Sequence, residues 1–220
     1  MAEAIQLLVV TVLLRPYAFL FLAFYLTAAS VAIGWRRTAL LTGLAWVVAS
    51  LAEYSSTRTG IPFGVYSYIS DTKGRELWIS NVPFMDALSL AFLAYVSFTL
   101  AQWLRLPVGA SEREVTAVRR SWPILVLTAF VFMLIDTAIE LVALRGDHWF
   151  LGEIYEYPEP GFFFSVPLTN FFGWAITGFV TIASFQQIDR GLAAEPTLDQ
   201  GVTDPVWRHA LLPDPGLLTS

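Results

Sequence analysis

Asp136 and Glu140 stand four positions apart inside an apolar run from about Trp122 to Leu144. At about 3.6 residues per turn they fall roughly 40° apart on one helix face. Two carboxyl groups so close in an apolar setting do not both ionise easily, so one is expected to keep its proton. A protonated carboxyl beside an ionised one is the pairing that general acid–base catalysis needs near neutral pH. Glu53 and Asp86 are two more carboxylates at the ends of other apolar runs, and Asn170 opens a further one. A charge near the centre of a bilayer costs about 2.5–3.5 kcal/mol on insertion scales, so such residues usually carry a function.

Each has a structural alternative. Asp86, three residues after Pro83, could favour a helix N-terminus through its charge. Glu53 could reach the headgroup region and pair with Arg58. Asp136 and Glu140 could serve packing alone, and Asn170 could bond between helices.

The elements that must position these groups are membrane helices. Of the 220 residues 56% are hydrophobic and 14% charged, where soluble chains carry about 25% charge. A span needs roughly 20 mostly apolar residues. Five stretches qualify, at about 16–34, 38–54, 83–104, 122–144 and 166–188. Four open at a proline (Pro16, Pro83, Pro123, Pro167), which suits a first helical turn. Arg15-Pro16 separates an apolar lead-in, Ile5–Leu14, which reads as an interfacial helix. The fold class is thus all-α, a polytopic transmembrane bundle of five spans plus that helix. Residues 1–188 form the helical domain, and 189–220, rich in Pro, Gly and Asp, read as a largely disordered cytoplasmic tail.

Alternation of the spans brings the end of the second, the start of the third, the end of the fourth and the start of the fifth to one face. Glu53, Asp86, Asp136, Glu140 and Asn170 therefore converge, together with the long connections 58–82 and 145–165. Lysine and arginine divide eight against five between the two faces, with Arg36, Arg37, Arg105, Arg113, Arg119, Arg120, Arg190 and Arg208 on the richer side. This places the C-terminus in the cytoplasm and the carboxylate face outside. The N-terminus lacks the form of a cleavable signal peptide, so the first span is expected to stay, in a multi-pass cell-membrane protein. The connections are aromatic: Tyr66, Tyr68, Trp78, Trp149, Tyr155, Tyr157 and Phe162–Phe164. Such residues form interfacial belts. They can also wall a site for a long apolar substrate and stabilise a cation.

With no Cys, neither disulfides nor Cys-based metal sites are available. His148 and His209 are too few and too distant for a His-rich metal or haem site. No P-loop, GxGxxG, HExxH or GxSxG motif occurs. The net charge of −5 comes with no basic patch, and no nucleic-acid partner is expected.

Glu53, Pro62-Phe-Gly-x-Tyr66-x-Tyr68, Pro83-Phe-x-Asp86, Asp136-x-x-x-Glu140 and Val166-Pro-Leu-x-Asn170-Phe-x-Gly-Trp174 follow one another in this order. Together they resemble the integral-membrane carotenoid-biosynthesis proteins of the CruF type, a family that includes hydratases of γ-carotene and of bisanhydrobacterioruberin. The resemblance runs from about Arg15 to Ile188, and the last motif is its most specific piece. It implies hydration of an isoprenoid end with no cofactor and no metal. A carboxylic acid protonates the terminal alkene, and water adds to the tertiary cation under a carboxylate base. Asp136 and Glu140 are the first candidates for acid and base, in either order, with Glu53 and Asp86 next. Tyr66, Tyr68, Asn170 and Trp174 are the substrate-binding candidates, and Asn170 could orient the water. The implied partners are a carotenoid substrate and the lipid bilayer; oligomerisation and association with other carotenoid enzymes stay open. Two other readings compete: a non-catalytic carotenoid- or lipid-binding membrane protein or complex subunit, and a small proton-coupled transporter or channel.

Overall fold

The computed structural model describes residues 2–146 and 153–192. Asp147, His148 and Trp149 lie outside these residues. So do His209, Arg208 and the tail expected to be disordered, from residue 193 on.

Seven α-helices follow one another among the described residues: α1 (Ala2–Leu14), α2 (Pro16–Ile33), α3 (Trp35–Thr59), α4 (Phe84–Arg105), α5 (Glu112–Arg119), α6 (Trp122–Ala143) and α7 (Leu168–Asp189). Five of them, α2, α3, α4, α6 and α7, are long and apolar enough to cross a membrane. The chain is a polytopic helical bundle, as its hydropathy requires. α1 has 13 residues, or about 20 Å at 1.5 Å per residue, against a hydrocarbon core of about 30 Å.

The helix ends show why the sequence divides here. Arg15 breaks the run between α1 and α2, and Pro16 occupies the first turn of α2. A single residue, Gly34 with φ 85°, separates α2 from α3; a left-handed φ suits glycine. Pro83 and Pro167 immediately precede α4 and α7 as their N-caps, one residue outside the expected positions, while Pro123 sits within the first turn of α6. The short α5 carries a capping box, Ser111 with Glu114, on the face opposite the carboxylates.

One boundary departs clearly from the sequence reading. The second span runs to Thr59 rather than ending near Tyr54. Its polar last turns remain helical, with the Thr57 and Thr59 hydroxyls satisfied by the carbonyls of Glu53 and Ser55. The helix stops where Gly60 takes the left-handed C-cap conformation. Glu53 therefore lies within the helix body, not in its last turn.

The bundle core is made of small and aromatic side chains, with Ala45, Ala49, Ala91, Ala94 and Ala101 against Phe98, Phe132 and Phe185. Small residues let helix backbones approach closely. At the end away from the carboxylates, Asp189 of α7 is fully buried and gathers arginines from two other segments. Arg37 Nε reaches its Oδ1 at 2.5 Å and Arg120 Nε its Oδ2 at 2.7 Å. Arg119 Nε lies 3.4 Å from Oδ2. This cluster ties α3, the turn before α6, and α7 together.

At the other end the two long connections are joined by a short ladder. Strand β1 (Ser67–Tyr68) pairs antiparallel with β4 (Tyr155–Glu156), setting Tyr68 opposite Tyr155. A second small hairpin, β2 (Trp78–Ile79) with β3 (Val82–Pro83), leads into α4. Neither pairing was evident in the sequence.

Candidate functional site

The two connections roof a cavity of about 380 Å³ within the bundle. Glu53, Asp86, Asp136, Glu140, Asn170 and Trp174 line it from four different helices, and Tyr66 and Tyr68 from the first connection. All eight site residues expected from the sequence thus face one space. Leu90, Leu93, Ile139 and Ala143 supply apolar wall between the polar groups.

Each carboxylate has a definite environment. Glu140 is 4% exposed. Its Oε2 accepts a 2.6 Å hydrogen bond from the Tyr155 hydroxyl and its Oε1 a 2.9 Å bond from Asn170 Nδ2. Asn170 is placed by the first turn of α7, and the interhelical bond that was its structural alternative is made to a cavity carboxylate. Asp136, one turn before Glu140 on α6, is 5% exposed, and its Oδ2 has no hydrogen-bond partner among the described residues. Asp86 Oδ2 accepts a 2.5 Å bond from the Tyr68 hydroxyl. Glu53, 2% exposed, leaves its Oε2 without a partner. The site therefore holds two carboxylates that receive a tyrosine hydroxyl and two with an unsatisfied oxygen. Buried polar atoms are nearly always paired, so these two oxygens are available to a water or ligand in the cavity.

The alternative reading of Glu53, a pair with Arg58 in the headgroup region, is not what the structure shows. Arg58 turns away, donating to Asn81 Oδ1 at 2.6 Å and lying 3.5 Å from the centre of the Tyr54 ring. Five positions at about 3.6 residues per turn put the two residues roughly 140° apart around α3, so Glu53 lines the cavity while Arg58 is exposed on the last turn.

The aromatic residues divide into two sets. Tyr66, Tyr68, Tyr155 and Tyr157 form one network of tilted and edge-on rings around Tyr66. Burial, and then the nearby Glu53 and Asp86, push the Tyr66 and Tyr68 phenols well above the usual tyrosine range. Burial and Glu140 do the same for Tyr155 and Tyr157. These four phenols are neutral hydrogen-bond donors at any physiological pH. Phe63 stacks on Trp174 with centroids 4.2 Å apart. In contrast, Phe162, Phe164 and Phe172 are exposed, in keeping with an interfacial belt.

Gly173 explains part of the last sequence motif. A Cβ at this position would lie 2.6 Å from Phe63 Cδ1 and 2.7 Å from the Pro62 carbonyl oxygen. Only glycine lets the Pro62–Phe63 segment seat against α7 beside Trp174.

Several lining residues were not singled out by sequence reasoning. Tyr17, Ala18 and Phe21 of α2 border the cavity, as does Ser89 of α4. Their signal is weak, because a single tyrosine or serine in an apolar run has many uses. Among the described residues, no three His, Asp or Glu side chains are grouped to hold a metal ion.

The sequence model of the carotenoid biosynthesis proteins matches residues 7–204. The bisanhydrobacterioruberin hydratase of Haloarcula japonica is 30% identical over 175 residues, which cover 78% of this chain and 54% of that protein. The chain thus spans about half the length of that curated relative. No solved structure matches it significantly. A match over most of the sequence, on a chain whose long apolar helices form a bundle around a carboxylate-lined cavity, establishes that the chain belongs to the carotenoid biosynthesis protein family.

Proposed function

We propose that the protein hydrates the terminal alkene of a linear or monocyclic carotenoid, without a cofactor. The observation that carries this reading is the pair on α6: Asp136 with an unsatisfied oxygen, and Glu140 with both oxygens accepting hydrogen bonds, in one apolar cavity. An ionised carboxylate with a bare oxygen costs far more to bury than a neutral carboxyl does. Asp136 is accordingly the acid. Glu140 has the acceptor-only pattern of a carboxylate and is the base.

The steps balance as the addition of one water. The Asp136 proton passes to the less substituted carbon of the terminal double bond, whose electron pair forms the new C–H bond. The tertiary carbon becomes cationic. Trp174, Phe63 and Tyr66 offer it aromatic faces. A water, oriented by Asn170 and Glu140, attacks that carbon and gives its proton to Glu140. Passage of that proton to Asp136, one helical turn away, restores the pair. Glu53 and Asp86 are the second acid–base pair, on the side of the cavity nearer Tyr68.

A cavity of about 380 Å³ admits one end of a long polyene, leaving the rest in the bilayer. The relative's name, a bisanhydrobacterioruberin hydratase, supports the same reaction class. Expression in a bacterium that accumulates lycopene or γ-carotene tests the proposal. A new pigment heavier by one water supports it; an unchanged pigment profile with folded protein in the membrane contradicts it for those substrates.

A further inference from the structure

A second cavity, of about 240 Å³, adjoins the first on the side of the long connections. Asp86, Ser89, Tyr17, Ala18 and Ile154 line both, so the two spaces share a boundary at the start of α4 and of α2. Their chemistry differs. The first is walled mainly by leucine, phenylalanine and tyrosine. The second, though also partly apolar, is bordered by Arg15, Asp71, Thr72, Glu76 and Glu153.

The second chamber is a built one. Glu76 is 2% exposed. It receives Arg15 in a two-pronged ion pair, Nη2 to Oε1 at 3.1 Å and Nε to Oε2 at 3.2 Å. Thr72 donates its hydroxyl to the same carboxylate. The Leu77 amide donates to Thr11 Oγ1 at 2.8 Å, fastening the connection to α1. The pair links residues 61 positions apart, and it holds the junction of α1 and α2 over the segment that carries Asp71 and Thr72.

We propose that this polar chamber is the water inlet of the site, with Asp86 and Ser89 at its threshold and the Arg15–Glu76 pair as its wall. The inference rests on the hydration reading. Each turnover consumes one water, and a polyene end that fills the apolar cavity excludes water from it. The water must therefore come by a route the substrate does not occupy. Ordered water needs two to four polar partners and a space of only about 10–15 Å³. The chamber offers charged and hydroxyl groups, and it opens among exposed residues such as Asp71. Asp86, already holding the Tyr68 hydroxyl, passes water from one space to the other.

The chain has no cysteine, so single thiols can be read without background. Ser89→Cys and, separately, Ala18→Cys are prepared in membranes and exposed to a charged, membrane-impermeant methanethiosulfonate, with Leu93→Cys and Asp71→Cys as apolar-wall and surface references. The reagent needs a hydrated thiolate, so the threshold cysteines should react at least about tenfold faster than Leu93→Cys. Adding Ile69→Trp, which narrows only the polar chamber, should slow them by about the same factor while leaving Asp71→Cys unchanged. The inlet is refuted if both threshold cysteines stay unmodified in folded protein, or if Ile69→Trp leaves their rates unaltered. Labelling does not depend on turnover. A chain that hydrates nothing but labels as expected overturns the reaction and keeps the inlet. A chain that hydrates but fails the labelling overturns the inlet alone.

Discussion

Tyr68 and Tyr155 face each other across the two-residue ladder of β1 and β4, and each gives its hydroxyl to a different carboxylate, Tyr68 to Asp86 at 2.5 Å and Tyr155 to Glu140 at 2.6 Å. The ladder thus does more than close the cavity. It couples the two connections to α4 and α6, and sets two carboxylates against one aromatic roof.

If Asp136 and Glu140 are the reacting pair, Asp136→Asn and Glu140→Gln each remove a proton-transfer group while keeping its shape. Hydration should fall by about 10²–10⁴-fold in each variant. Pigment co-purifying with the protein should remain, because both changes keep the shape of the cavity wall. Product chromatography and bound-pigment absorbance check the two halves separately.

The two tyrosines provide a way to rank the two carboxylate pairs. A hydrogen bond to a charged group contributes about 1.5–3 kcal/mol. Tyr155→Phe should therefore slow hydration by about ten- to a hundredfold, at roughly 1.4 kcal/mol per factor of ten. Tyr68→Phe should slow it less, since Asp86 is not in the first pair. Turnover of the two variants, measured on the same substrate, decides; a larger loss in Tyr68→Phe would move the chemistry to Glu53 and Asp86.

Gly173→Ala should destabilise the protein by about 1–3 kcal/mol, the usual cost of overpacking a tight contact. The added methyl meets the Phe63 ring and the Pro62 carbonyl. Thermal unfolding in detergent should show a lower midpoint. Pigment binding should weaken too, because Phe63 shares the cavity wall with Trp174.

Much of this arrangement is legible in the sequence. Hydropathy is local and spans are long, so five helices can be placed by reading along the chain. Alternation of those helices then brings Glu53, Asp86, Asp136, Glu140 and Asn170 to one end. What could not be read is pairing at long range. The Tyr68–Tyr155 ladder and the Arg15–Glu76 pair join residues far apart in sequence, with no period or motif to announce them. The depth of Glu53 is not legible because hydropathy falls away after Tyr54 while the helix runs on to Thr59. In the folded chain the Thr57 and Thr59 hydroxyls bond back to preceding carbonyls, so the stretch stays within the helix with its polar groups satisfied.

The buried phenols make stability depend on alkaline pH. Tyr66, Tyr68, Tyr155 and Tyr157 titrate well above the usual range in the folded protein, through burial and then through neighbouring carboxylates. In the unfolded chain they lose their protons near pH 10. Above that pH the unfolded state binds fewer protons than the folded one, so stability falls as pH rises. Below about pH 10 both states hold these protons and the effect is absent. Thermal midpoints should decline from about pH 10 upward. Tyrosinate absorbance should be lower in folded than in denatured protein at the same pH.

At the far end of the bundle, Asp189→Asn should cost about 3–5 kcal/mol, because it leaves Arg37 and Arg120 without the carboxylate that they share. Thermal unfolding in detergent checks this. The hydrogen bonds around Glu140 lie at the other end of the helices, so turnover by the fraction that remains folded should be unaffected.

The most direct test of the account is the source of the atoms that are added. The protein is incubated with its polyene in deuterium oxide, and separately in water enriched in heavy oxygen, and the product is weighed by mass spectrometry. Acid-initiated hydration predicts one deuterium fixed on carbon beside the new tertiary alcohol, and an alcohol oxygen drawn wholly from the water. It also predicts that both labels disappear when Asp136→Asn replaces the native chain. A product whose oxygen does not come from water, or whose carbon skeleton carries no deuterium, would contradict it.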